Sequence, residues 1–319
     1  LYIQVFYSKT AHTFFYLPLF RTIGLKFDSM IYLYAFFTLS FLNALKDISI
    51  KRWLQKVDSW IMTGIAAIPL ILISSIMMYI EGVPSNALNW DFVWIVLAGG
   101  VFYYFGKYFN FQALSLGDIS YIAPLKSLVT LSVIVTSFLL LGETISTGWA
   151  IGILLIFLGT YFLALEKTHT KILSPLLALW SNPGSRMFLI ATTFYGFTVT
   201  FDRMGILRSS LWVWTFAMNV FMVVFSLRDM YHGRAKIVHL VREHSFILSS
   251  ILSLHALIYI SQMWIVSQVL APYTSSFKSA SALFTVILGW WYFSEKDRLK
   301  RFLSACVILI WVICVSFLW

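Results

Sequence analysis

Long apolar runs alternate with short polar breaks along this chain. Ten runs reach the roughly 20 residues a membrane-crossing helix needs. They cover 30–50, 59–80, 92–115, 118–141, 145–165, 187–207, 211–227, 246–268, 272–293 and 302–319. The predicted fold class is an all-α integral membrane protein. The two longest connections, 166–186 and 228–245, are the polar ones. The first contains SPLLALWSNPG, read as a short interfacial helix ended by Pro183 and Gly184. Residues 1–29 carry Lys9, His12, Arg21 and Lys26 among short apolar patches, with no clean span. Met30 opens the first good run and is the expected natural start, with 1–29 an extension of doubtful status.

Composition agrees with the pattern. Only 11% of residues are charged and 60% are hydrophobic, with mean hydropathy +0.84. A soluble domain carries about 25% charged residues. The net charge of +10 does not point to nucleic acid, because most basic residues sit in loops between apolar runs. Cys306 and Cys314 are eight apart in one segment, about 12 Å along a helix, which is too far for a disulfide. The histidines are scattered, and neither a metal motif nor a nucleotide-binding motif is present, so no cofactor is expected.

The chain also repeats. An offset of 152 pairs Tyr121 with Tyr273, Lys126 with Lys278, Ser127 with Ser279, Leu131 with Leu283 and Glu143 with Glu295. Leucine matches are cheap in apolar helices; matched lysines and glutamates are not. The expected domains are a first five-helix repeat at 30–165, a connecting segment at 166–186 and a second repeat at 187–319. Five is odd, so the second repeat enters the membrane inverted, around a central cavity.

Loop charges follow the inversion. Lys51, Arg52 and Lys56 follow the first helix, whereas the matching loop after the sixth holds Arg208. The loop at 81–91 is acidic, while its counterpart holds Arg228, Arg234, Lys236 and Arg242. Lys167, Lys171, Arg186, Lys296, Arg298, Lys300 and Arg301 add to the odd-numbered loops. The positive-inside rule then puts odd loops in the cytoplasm and both termini outside, in the cytoplasmic (plasma) membrane.

Charges within the runs are the candidate chemistry. Lys126 and Lys278 lie about 10 Å inside their predicted helices. An ammonium near mid-membrane costs about 2.5–3.5 kcal/mol. Either lysine can snorkel or pair with a carbonyl. Alternatively, inversion brings both toward the midplane, where they favour an anionic substrate. Thr130 shares a face with Lys126, and Ser281 and Thr285 share one with Lys278; that stripe suits helix packing as well as a pore. Lys107, Asn110 and Gln112 lie well inside the third helix, and the offset sets Gln262 opposite Asn110. His255 joins Gln262 on the eighth. Lys46–Asp47 and Asp202–Arg203 lie toward helix ends and read first as snorkelling pairs. Asp47 and Asp202 are also the candidates for proton coupling. Glu143 and Glu295 read as structural, beside the N-terminal dipoles of helices five and ten. Gly106, Gly117, Gly142, Gly152 and Gly159 read as close-packing positions.

The stretches ALSLGDISYIAPLKSLVTLSVIVTSFLLLGETISTGWAIGILLIFLGTYFLAL and YTSSFKSASALFTVILGWWYFSEKDRLKRFLSACVILI resemble the EamA-like family of the drug/metabolite transporter superfamily. The resemblance covers about residues 30–319. It implies two five-helix bundles, a central cavity and alternating access. Some relatives that move phosphorylated sugars or nucleotide sugars use lysines on helices four and nine, which correspond to Lys126 and Lys278. Ser304 and Trp311 stand where the first repeat has Gly152 and Gly159, which departs from the pattern.

The expected function is secondary transport of a small polar metabolite. Lys126 and Lys278 would attract its negative group, and Tyr121 and Tyr273 would shape the mouth. Lys107, Gln112 and Gln262 would add polar contacts. Expected partners are the substrate and membrane lipid, and the chain allows a homodimer. A lipid or lipid-phosphate translocase is the alternative. An intramembrane enzyme lacks a matching constellation, so no enzymatic activity is expected.

Overall fold

The computed structural model describes residues 38–51, 58–85, 87, 89–118, 122, 125–143, 179–268, 270–293, 303 and 306, with some side chains inside the last long helix left undescribed. The chain divides into Leu1–Thr38 and Leu39–Trp319. Everything below concerns the second unit.

Its described helices are α1 (38–51), α2 (Ser59–Glu81), α3 (Trp90–Leu116), α4 (Ser127–Leu141), α5 (Pro183–Arg208), α6 (Leu211–His232), α7 (Arg234–Gln268) and α8 (Ala271–Phe293). Four of them, α2, α3, α6 and α7, are long and apolar enough to cross a membrane. At 1.5 Å per residue, 23-residue α2 is about 35 Å long, enough for a hydrocarbon core of about 30 Å.

Local chemistry sets the boundaries. Asn89 caps α3 by accepting from Phe92 N at 3.1 Å, and Ser210 caps α6 by accepting from Val213 N at 3.3 Å. Asn182 caps α5 through Ser185 N at 3.1 Å, with Pro183 in the first turn. There a missing N–H costs nothing, so Pro183 begins α5; the helical residues 179–181 before it do stop at Asn182, as the sequence reading expects. Gly142 closes α4 at φ +66°, and a Cβ there would meet open space. Its role is the left-handed turn, contrary to the close packing expected.

Two further boundaries differ from expectation. The predicted loop at 228–245 is helical except at Gly233: α6 runs on to His232 and α7 starts at Arg234. Ile237 and Leu240 supply apolar positions three apart, and both pack into one apolar cluster with Met62 and Ile251. The helix breaks at His244 (φ −139°, ψ 31°), where the amphipathic segment gives way to the span. The continuous helix α4 begins at Ser127, with Lys126 at its N-cap; Ile122 and Leu125 before it are also helical, and Ile122 N donates to Asp118 O at 3.0 Å.

Large apolar side chains lie on the outside as well as in the core, and polar ones are buried within the bundle. Leu72, Ile76, Leu139, Val224 and Phe246 are exposed, as are Tyr79, Trp90 and Trp291. Thr136, Thr198, Thr200, Asp202, Arg203 and Asn219 are buried. Apolar side chains therefore face lipid while polar ones face the bundle. Serines in the apolar spans bond back to their own helix, as Ser74 Oγ does to Leu70 O at 2.6 Å.

The polar residues concentrate on α5. It packs against α3 through stacked Phe102 and Phe197, centroids 4.4 Å apart. It packs against α4 through small residues: Thr136 Oγ1 donates to Gly196 O at 2.9 Å and lies 2.8 Å from Thr200 Oγ1. A Cβ on Gly196 would come within 2.7 Å of Ser132 Cβ, so glycine permits this crossing. Trp214 of α6 is fully buried against Gly205 of α5.

The expected helices at 145–165 and 302–319 and residues 1–29 lie outside the described residues, except Leu303 and Cys306, both helical. Four described helices, α1–α4, fall within the first expected repeat and four, α5–α8, within or overlapping the second, and a count of ten is not established.

Candidate functional site

A cavity of about 100 Å³, with charged groups set in a largely apolar wall, lies among α1, α3, α4, α5 and α7. Its charged lining is Lys46, Asp47, Lys107, Lys126 and Asp202, joined by His255. Tyr103, Tyr195 and Tyr259 form an amphipathic wall, and Asn43, Asn110, Thr198 and Gln262 add neutral polar groups.

The charges come from four elements, with Lys46 and Asp47 adjacent on α1. Asp47 on α1 forms an ion pair with Lys126 at the α4 N-cap, through Oδ2. Its Oδ1 lies 3.8 Å from Lys46 Nζ. The Asp47 and Lys126 side chains keep only 6% and 13% of their surface exposed, so the pair is buried. Lys107 on α3 sits 3.2 Å from His255 Nε2 on α7, and 5.5 Å from the Tyr103 ring centroid. An ammonium has no lone pair, so His255 Nε2 accepts and its ring proton lies on Nδ1. Asp202 Oδ1 accepts from Trp214 Nε1 at 2.9 Å.

Of the predicted site residues, Lys126, Lys107, Gln262, Asp47 and Asp202 line this cavity. Gln112 does not; its Nε2 donates to Tyr108 Oη at 3.3 Å. Tyr121 lies outside the described residues, and so do the side chains of Lys278 and Tyr273. The snorkelling expected of Lys46–Asp47 and Asp202–Arg203 is overturned: Asp47, Asp202 and Arg203 are all buried, and each engages another helix. Adjacent opposite charges suggested local pairs; Asp47 does lie 3.8 Å from Lys46, yet its closer partner comes from 79 residues away, and that of Arg203 from 60. Sequence reasoning passed over Tyr103, Tyr195, Tyr259, Asn43 and Thr198. Asn43 and Thr198 did leave a trace, each lying four residues from a charged wall residue.

Glu143 lies past the end of α4, away from this cavity. It accepts from Arg203 Nε at 3.1 Å and from Ala271 N, at the start of α8, at 3.2 Å. Burial pushes its carboxyl up from the ordinary value, against the pull of Arg203. Its structural role thus serves the N-terminus of α8. At the other end of the bundle Lys51 Nζ donates to Gly117 O at 3.0 Å, tying α1 to the C-cap of α3.

No curated protein matches the chain. A solved structure titled only "Crystal structure of protein" aligns over 91% of this chain and 97% of its own, with TM-score 0.60 and 14% identity. That likeness concerns the fold alone. Residues 30–165 match the family model of the EamA-like transporter family. By its long apolar helices and this match, the chain is an integral multi-pass membrane protein that is similar to EamA-like transporters over residues 30–165, somewhat under half of its length.

Proposed function

We propose that the protein is a secondary transporter in the cytoplasmic membrane, moving a small, polar, anionic metabolite by alternating access. The observation that carries this is the gathering of Lys46, Lys107 and Lys126 around one cavity within the helix bundle. Each ammonium kept inside a membrane is costly. Three of them at one cavity are economical if an anion visits it. The volume, about 100 Å³, suits a small molecule.

In this reading Lys126 and Lys107 bind the negative group, while Gln262 hydrogen-bonds the remainder. Lys278, at the matching position of the second inverted repeat, completes the site, with Tyr121 and Tyr273 at its mouth and Gln112 as an outer contact. The ten-helix layout, with repeats at 30–165 and 187–319, belongs to the same proposal. Asp47 and Asp202 are the groups that would couple protons; a pH-independent transport rate removes that part.

The test is ligand stabilisation of the purified chain. Organic acids, phosphorylated metabolites, amino acids and neutral drugs are compared on the native protein and on Lys126→Gln with Lys278→Gln. Anions are expected to stabilise the native chain alone. Equal stabilisation of both by neutral or cationic compounds would remove the anionic substrate. A response confined to lipid-linked compounds would favour lipid translocation.

A further inference from the structure

We propose that Asp47 is a built-in competitor of the substrate: its carboxylate holds Lys126 in the empty cavity, and a small monocarboxylate displaces it to bind. This rests on the anion-transport reading above and names the substrate class of that same site.

The geometry supplies three reasons. First, the group now on Lys126 is itself a carboxylate, donated by a different helix and buried with its partner. A ligand carboxylate would reproduce the same charge-assisted bonds. Second, Asp47 has somewhere to go. Its other oxygen is 3.8 Å from Lys46 Nζ, so a small rotation pairs it there when Lys126 is taken. Third, the described lining carries three lysines and two aspartates, an excess of one positive charge. His255 adds none, because its Nε2 accepts from Lys107. Asp202 is not the competitor, since Trp214 holds its Oδ1 on another wall. Among the described residues, rotation of Asp47 towards Lys46 vacates the bonds of Lys126 alone, and one ligand carboxylate fills them.

A place-holder also answers an energetic need. A transporter must return through an empty state, in which a bare buried ammonium would be costly. Asp47 covers that state and sets the affinity by competing. Affinity falls by the fraction of time the site is occupied by its own carboxylate.

Binding of L-lactate, acetate, succinate, inorganic phosphate and acetamide to the full purified chain is measured by calorimetry. L-Lactate and acetate are expected to bind, succinate and phosphate more weakly, and acetamide not at all. Asp47→Asn should bind L-lactate about tenfold more tightly, because the competitor is gone. Asp47→Glu, which keeps a carboxylate, should stay close to the native chain. A second readout needs no variant: with ¹³C-aspartate labelling, L-lactate should shift an aspartate carboxylate infrared band of the native protein. Monocarboxylate binding that Asp47→Asn leaves unchanged or weakens overturns the competitor, as does an unshifted band, while anion transport stands. Stronger binding of succinate or phosphate overturns the monocarboxylate. Binding of no anion to any form overturns the anion reading itself.

Discussion

Arg203 of α5 donates through Nε to Glu143, just past α4, at 3.1 Å, with both side chains nearly buried. The same guanidinium donates through Nη1 to Val266 O at 2.7 Å, and Glu143 accepts from Ala271 N. Two charges thereby join the ends of α4, α5 and α7 to the start of α8. Breaking a buried pair leaves an uncompensated charge, so Glu143→Ala should cost about 3–5 kcal/mol of stability. Glu143→Leu with Arg203→Met should cost less than either single change. Thermal unfolding in detergent reads both; a double variant as unstable as the sum of the singles would contradict the pairing.

Gly196 permits the α4–α5 crossing. Its added Cβ would lie 2.7 Å from Ser132 Cβ and 2.9 Å from the Ser132 carbonyl carbon, which is backbone and cannot swing aside. Gly196→Ala should therefore cost about 1–3 kcal/mol. Gly142→Ala tests a different constraint, since only its positive φ resists a side chain. Adding Ser132→Gly should rescue Gly196→Ala in part and leave Gly142→Ala unaffected.

Trp214 fills the core and donates to Asp202 at 2.9 Å. Trp214→Phe removes that donor, and leaving the buried carboxylate short of a bond should cost about 1–3 kcal/mol. Combining it with Asp202→Asn should cost less than the sum, because the second change removes the charge that lost its donor. Strict additivity would show that Trp214 acts by volume alone.

Orientation is open to chemical labelling. In a background carrying Cys306→Ser and Cys314→Ser, Arg228→Cys should react with a membrane-impermeant thiol reagent only from the cytoplasmic side. Ser85→Cys should react only from outside. The reverse pattern would invert the proposed topology without touching the fold.

The sequence alone determined that this chain lives in a membrane and where most of its helices run. Twenty-residue apolar runs with 11% charge leave no soluble alternative, and caps such as Asn89 and Ser210 are local signals. Lys107, Lys126 and Gln262, which line the cavity, were legible as candidates because polar groups within apolar helices are costly anywhere. The helical stretch after Gly233 was missed because its polar composition masked the Ile237–Leu240 spacing. Tertiary structure decided the pairings. Lys46 beside Asp47, and Asp202 beside Arg203, look self-contained in one dimension. In three dimensions Asp47 meets Lys126, Asp202 meets Trp214 and Arg203 meets Glu143. Successive residues on a helix point about 100° apart, so neighbours in sequence face different helices. Which lysine an aspartate neutralises is settled only when those helices pack.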